Sequence, residues 1–146
     1  MKIEVKIDEN CKEPKITVEA KTLEDDVVKL IENLQNKQMQ TINGFKNEEM
    51  YLLNQNQIET IYTEEGKVYA RENNNKYLVK KKLYELEEIL NPKEFVRISN
   101  SEIVNIKKVS KISFKITGTI ILYFTNGNKT FVSRRCMKKL KDFLGI

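Results

Sequence analysis

A mostly β, α+β fold with short helices and a small N-terminal β-β-α extension is predicted by three features of the 146-residue sequence. From Thr41 onward, short runs rich in strand-forming residues are separated by polar turns containing Asn or Gly. Helical spacing of apolar residues is confined to three stretches, near residues 25–35, 83–90 and 137–144. The length fits one domain plus a small addition and suffices to bury a real core. We therefore expect residues 1–40 to form the extension, for packing or dimerisation, and residues 41–146 to form the main unit.

In the extension, residues 2–6 and 15–20 alternate apolar and charged residues. They read as two half-buried strands with Ile3, Val5 and Ile7, then Ile16, Val18 and Ala20, facing inward. Thr22 reads as a helix N-cap, with the acids Glu24, Asp25 and Asp26 suited to the positive end of a helix. Val27, Leu30, Ile31 and Leu34 then form one apolar stripe, and Asn36-Lys37-Gln38 reads as the exit. The pair Asp25-Asp26 is not a receiver-domain phosphoacceptor site, because a receiver needs about a hundred residues and fewer than sixty precede the second unit.

Further along, Met50–Leu53, Ile58–Tyr62, Lys67–Arg71 and Lys76–Lys80 read as strands, the last two joined by Asn73-Asn74-Asn75 because Asn tolerates the left-handed geometry of a tight turn. Leu83, Leu86, Ile89 and Leu90 mark a helix stopped by Asn91-Pro92. The stretch 95–105 reads as apolar residues around a polar strand end, followed by runs over 109–116 and 119–125 with Gly118 between them. Asn126-Gly127 is a strong hairpin signal, and 128–133 is the returning strand. Met137, Leu140, Phe143 and Leu144 recur at helical spacing among Lys138, Lys139 and Lys141, so a short basic helix follows.

Composition narrows the function. No apolar run approaches the roughly 18 residues of a membrane span, and the charged start Met1-Lys2-Ile3-Glu4-Val5-Lys6 lacks the apolar region of a signal peptide, so we expect no membrane insertion and a cytoplasmic location. Cys11 and Cys136 are too few and too far apart for a disulfide framework or a zinc site. Histidine is absent, which removes the commonest general base and metal ligand together. No nucleophile and base stand paired, so neither enzyme activity nor a cofactor is expected. The charge is uneven: residues 1–53 carry 8 basic and 11 acidic side chains, whereas residues 103–146 carry ten Lys or Arg against the single acid Asp142. A folded segment with a net charge of +9 suits a polyanion.

Leading into that basic segment, Phe95 to Asn105 places a polar knot of Arg97, Ser99, Asn100 and Ser101 among apolar neighbours. A second cluster, Ser133-Arg134-Arg135, also ends a predicted strand. Two such loops can straddle a groove. Arg presents a rigid fork of donors to phosphate or guanine, and Asn presents both donor and acceptor to adenine. If Arg134 and Arg135 lie on a strand end they point to opposite sides, so one of them at most reads bases.

"FVRISNSEIVNIKKVSKI", the later Asn-Gly hairpin and "FVSRRCMKKLKDFL" together resemble the LytTR DNA-binding domain, whose motifs run roughly F-x-R-x-x-x-S-x-x-V-N, then N-G, then S-R-R. The likeness spans about residues 41–146 and includes the "KxLxELE" helix before Phe95. It implies stacked antiparallel sheets that bind double-stranded DNA through loops rather than a recognition helix. It also implies base contacts from Asn100, Arg135 and the Gly66-Lys67 neighbourhood. The chain is similar to the small stand-alone LytTR transcriptional regulators, which lack a receiver and are controlled through abundance, dimerisation or a regulatory partner protein.

The expected interface therefore comprises Lys67, Arg97, Ser99, Asn100, Lys107, Arg134, Arg135 and Lys138. Lys107, Lys108, Arg134, Lys138 and Lys139 release counterions from phosphates, and Asn100 and Arg135 read base edges, on promoter repeats bound by a homodimer. The alternative is a β-rich RNA or single-strand binder of the OB type, which needs exposed aromatic side chains for stacking, with Tyr62, Tyr69, Tyr77 and Phe114 as candidates.

Overall fold

The computed structural model describes residues 1–36 and 41–146, and the chain divides into two compact units, Met1–Gln38 and Met39–Ile146. The expected boundary at residue 40 and the helix exit at Lys37-Gln38 lie outside the described residues.

In the first unit the expected β-β pair is absent: residues 1–20 form no strand, and Ile3, Val5 and Ile7 are 86%, 79% and 92% exposed. Two short alternating runs do not make a stable sheet in water on their own, whatever their pattern. Helix α1 spans Asp25–Asn36. It begins later than expected, because the Thr22 hydroxyl donates to the Glu24 carboxylate (3.0 Å) instead of capping a helix amide. Glu24 precedes the helix, its carbonyl accepting from the Val28 amide at 3.0 Å. Val27, Leu30, Ile31 and Leu34 form the expected stripe and are half-buried.

Among the described residues, the second unit holds ten strands and two α-helices. They are β1 (Thr41–Lys46), β2 (Glu49–Asn54), β3 (Thr60–Glu64), β4 (Lys67–Glu72), β5 (Asn75–Val79), α2 (Leu83–Ile89), β6 (Phe95–Ser99), β7 (Glu102–Asn105), β8 (Val109–Phe114), β9 (Ile120–Phe124), β10 (Lys129–Phe131) and α3 (Met137–Leu144). A seven-stranded sheet runs β2-β1-β5-β4-β3-β7-β6 and a three-stranded sheet runs β10-β9-β8, with every pairing antiparallel. This agrees with the mostly β class.

Three two-residue hairpins turn on consecutive residues with positive φ: Asn47-Glu48, Glu65-Gly66 and Asn73-Asn74. That geometry matches the right-handed twist of the flanking strands. Strand β1 lies outside the strand runs expected from the sequence, which begin at Met50. A Cβ on Gly44 would meet Leu53 Cδ1 at 2.6 Å and Tyr77 Cβ at 2.8 Å. Glycine there permits close strand packing rather than chain reversal.

Two cores form. Ile42, Leu53, Ile58, Ile61, Val79, Leu83, Leu86 and Leu90 pack with Phe95 and Ile103. Val96, Ile98 and Val104 instead join Ile120, Leu122, Phe124, Val132 and Leu140. Alternate residues of β6 and β7 thus enter different cores, so this hairpin is buried on both faces. That double burial explains the dense apolar residues around the polar knot and fixes the knot in place.

Candidate nucleic-acid interface

The loop between β6 and β7 is held from within. Arg97 Nε donates to the Ser99 carbonyl at 2.7 Å, Nη2 donates to the Asn100 carbonyl at 2.6 Å, and Nη1 pairs with the Glu87 carboxylate on α2. The Ser101 amide donates to Ser99 Oγ at 3.2 Å, and the two serine hydroxyls lie 3.2 Å apart. Arg97 is half-buried and its fork is occupied, whereas the Asn100 side chain is exposed.

Backbone bonds bring two other segments to this loop. The Thr63 amide donates to the Ser101 carbonyl at 2.8 Å, which sets the β3–β4 hairpin and its exposed Lys67 beside it. The Ser133 amide donates to the Ile98 carbonyl at 2.8 Å, which brings up the Ser133-Arg134-Arg135 cluster. The two clusters that sequence placed at separate strand ends are therefore adjacent.

Arg134 and Arg135 lie not on a strand end but on a single 3-10 turn, Arg134–Cys136, leading into α3. Strand β10 has ended at Phe131, and the Val132 amide bonds to the Ile120 carbonyl at 3.1 Å. Strand alternation thus does not govern the two arginines; on a 3-10 turn, successive side chains diverge by about 120°. Both are exposed, as are Lys138 and Lys139, while Leu140 is buried and anchors α3 with its lysines outward. None of these four cations has a salt bridge among the described residues.

Lys107 is not part of this gathering. It follows the far end of β7, about 13 Å along the strand from the loop at 3.3 Å per residue, and its Nζ lies 2.7 Å from Glu94 Oε1. The β8–β9 turn was expected around Gly118 but not as part of the interface: Thr117, Gly118 and Thr119 border a shallow depression with Ser133, Arg134 and Met137, beside the exposed Lys115. A lysine followed by a Thr-Gly-Thr turn was its only sequence mark.

Behind the loops, Glu102 accepts from Thr60 Oγ1 at 2.6 Å and from Thr130 Oγ1, tying the large sheet to the small one. Asn105 is fully buried, its Nδ2 donating to the Ile58 carbonyl (2.9 Å) and its Oδ1 accepting from the Lys107 amide (3.0 Å). The Val-Asn of the motif is thus a structural element.

Three of the four aromatic candidates for base stacking are occupied in packing. The Tyr62 and Tyr69 rings are 6.0 Å apart, Lys76 Nζ sits 4.2 Å over Tyr69, and Tyr77 packs against Tyr51 at 5.1 Å. Burial raises the Tyr62 hydroxyl above its usual range, and a hydrogen bond from Lys76 to Glu64 raises that ammonium. Phe114 is exposed. No group of His, Cys, Asp or Glu that could hold a metal occurs among the described residues, and no helix there is long and apolar enough to cross a membrane.

The model of the LytTr DNA-binding domain family matches residues 48–145. Two "uncharacterized HTH-type transcriptional regulators" of Staphylococcus aureus, from strains NCTC 8325 / PS 47 and COL, are each 33% identical over 147 residues, covering 100% of this chain and 99% of theirs. A solved LytTr DNA-binding domain from Bacillus cereus superposes with a TM-score of 0.70 at 20% identity, covering 73% of this chain and 98% of that one. Although those relatives carry a helix-turn-helix name, no two consecutive elements in the described residues here are helices joined by a short turn.

Proposed function

The chain belongs to the LytTr DNA-binding domain family, and from that premise we propose that it reads duplex DNA with the three segments gathered around Asn100. The protein is a DNA-binding transcriptional regulator. The observation carrying the proposed interface is the backbone bond from Ser133 to Ile98, which joins two cation- and amide-bearing loops into one exposed surface.

In this reading Arg134, Lys138, Lys139 and Lys67 neutralise phosphates and fix the register, while Asn100 and Arg135 reach base edges, Asn suiting adenine and Arg suiting guanine. Ser99 and Arg97 support the loop from behind. Lys107, with Lys108, belongs to a flanking patch. Two copies bind promoter repeats, with regulation through a partner protein or through assembly, in the cytoplasm. We assign no catalytic role.

Selecting bound duplexes from a random library tests the proposal, combined with titration of the winning site at several salt concentrations. Four phosphate contacts per copy predict a slope of log affinity against log salt of roughly −3 to −4 for each copy bound. A flat plot, or preference for single strands over every duplex, overturns it in favour of single-strand binding.

A further inference from the structure

The exposed run Lys2 to Asp8 has no ladder partner in the described structure, yet carries alternate apolar residues at 3, 5 and 7. Its charges have an unusual symmetry. If the run pairs with a second copy of itself, antiparallel and centred on Val5, then Lys2 stands opposite Asp8, Ile3 opposite Ile7 and Glu4 opposite Lys6. Every facing charge is then opposite in sign, and one face of the ribbon is wholly apolar.

Neighbouring registers of the same phase fail. Shifting by two residues one way sets Lys2 against Lys6 and Glu4 against Glu4. Shifting the other way sets Glu4 against Asp8 and Lys6 against Lys6. Parallel in-register pairing sets every charge against itself. Like charges directly opposite destabilise a ladder, and a one-residue slip turns apolar side chains to the charged face.

We propose that residues 2–8 form a symmetric antiparallel strand pair with a second copy of this chain, centred on Val5. A two-stranded ribbon needs an apolar cover to persist in water, and the α1 stripes of Val27, Leu30, Ile31 and Leu34 supply one. The paired strands specify the homodimer assumed above for promoter repeats and rest on that reading; assembly off DNA is measured separately from DNA binding.

Cysteine cross-linking in the full chain tests the register, in a background with Cys11→Ser and Cys136→Ser. Val5→Cys should form a disulfide-linked dimer on oxidation without DNA, because residue 5 faces its own copy. Ile3→Cys should not, because its two copies are offset by four residues, about 13 Å. Absence of the Val5→Cys dimer, or equal yield from Ile3→Cys, overturns the pairing.

Sedimentation gives a second arm. Glu4→Lys creates two like-charge pairs and should weaken assembly to twice the 17.2 kDa chain mass by about tenfold, and Glu4→Lys/Lys6→Glu should restore it. Equal dimerisation by single and double variants overturns the proposal. Salt-dependent duplex binding by the variants, retained or lost, reports on the DNA reading alone.

Discussion

The Ser133 amide donates to the Ile98 carbonyl across 2.8 Å, and this bond makes one surface of two loops that are 35 positions apart in the chain. Ile98 is fully buried, so the carbonyl that accepts it cannot drift. On the other side, Thr63 bonds to Ser101. Loops positioned by a rigid scaffold are where binding residues concentrate, and here one flank of the central loop is tied to strand β3 and the other to the segment that leads into α3.

Arg97 distinguishes support from contact. Arg97→Ala removes the donors held by the Ser99 and Asn100 carbonyls and leaves Glu87 unpaired. We expect stability to fall by about 1–3 kcal/mol and site affinity to drop with the salt slope unchanged. Denaturation and salt titration together check this. A slope reduced by about one with unchanged stability would mean that Arg97 meets a phosphate instead.

Asn105→Ala should destabilise the protein by about 1–3 kcal/mol, since it strips partners from the buried Ile58 carbonyl and the Lys107 amide. Asn105→Asp should cost at least as much: it replaces a donor aimed at a carbonyl with a buried charge. Urea midpoints of the two variants provide the measurement.

Much of this was legible in the sequence because turn chemistry is local. Asn73-Asn74 and Asn126-Gly127 announced their hairpins, and the apolar spacing announced α2 and α3. What stayed hidden depends on partners distant in the chain. Gly44 shows its packing role only once Leu53 and Tyr77 close on it. Arg97 looks like a DNA contact until Glu87 and two carbonyls occupy its guanidinium, and Glu102 gives no hint that it joins two sheets. Residues 2–8 show the converse, a strand pattern without a strand, because no strand among the described residues of the same chain pairs with them.

Gly44→Ala follows from the same crowding. The added methyl would press on Leu53 and Tyr77 at distances below normal contact, so overpacking should cost about 1–3 kcal/mol. Thermal and denaturant unfolding should reveal the loss. DNA affinity per folded molecule should remain, since β1 and β2 lie at the sheet edge opposite β6.

Readout and attraction separate in the last comparison. Asn100→Ala and Arg135→Ala should each lose about 1–3 kcal/mol on the preferred site and relax base preference at one position, whereas Lys138→Ala should weaken all sequences alike and reduce the salt slope by about one. The two arginines are told apart by surroundings rather than strand phase. Arg134 borders the depression beside Thr117 and Thr119, which directs it toward the β8–β9 turn. Arg135, turned about 120° away on the 3-10 turn and exposed, is the one open to a groove. Arg134→Ala should therefore act like Lys138→Ala, lowering affinity for operator and scrambled duplex equally. If Arg134→Ala instead loses discrimination while Arg135→Ala does not, the reading arginine is one residue earlier. If neither does, these loops attract only the phosphate backbone and Asn100 carries the sequence reading alone.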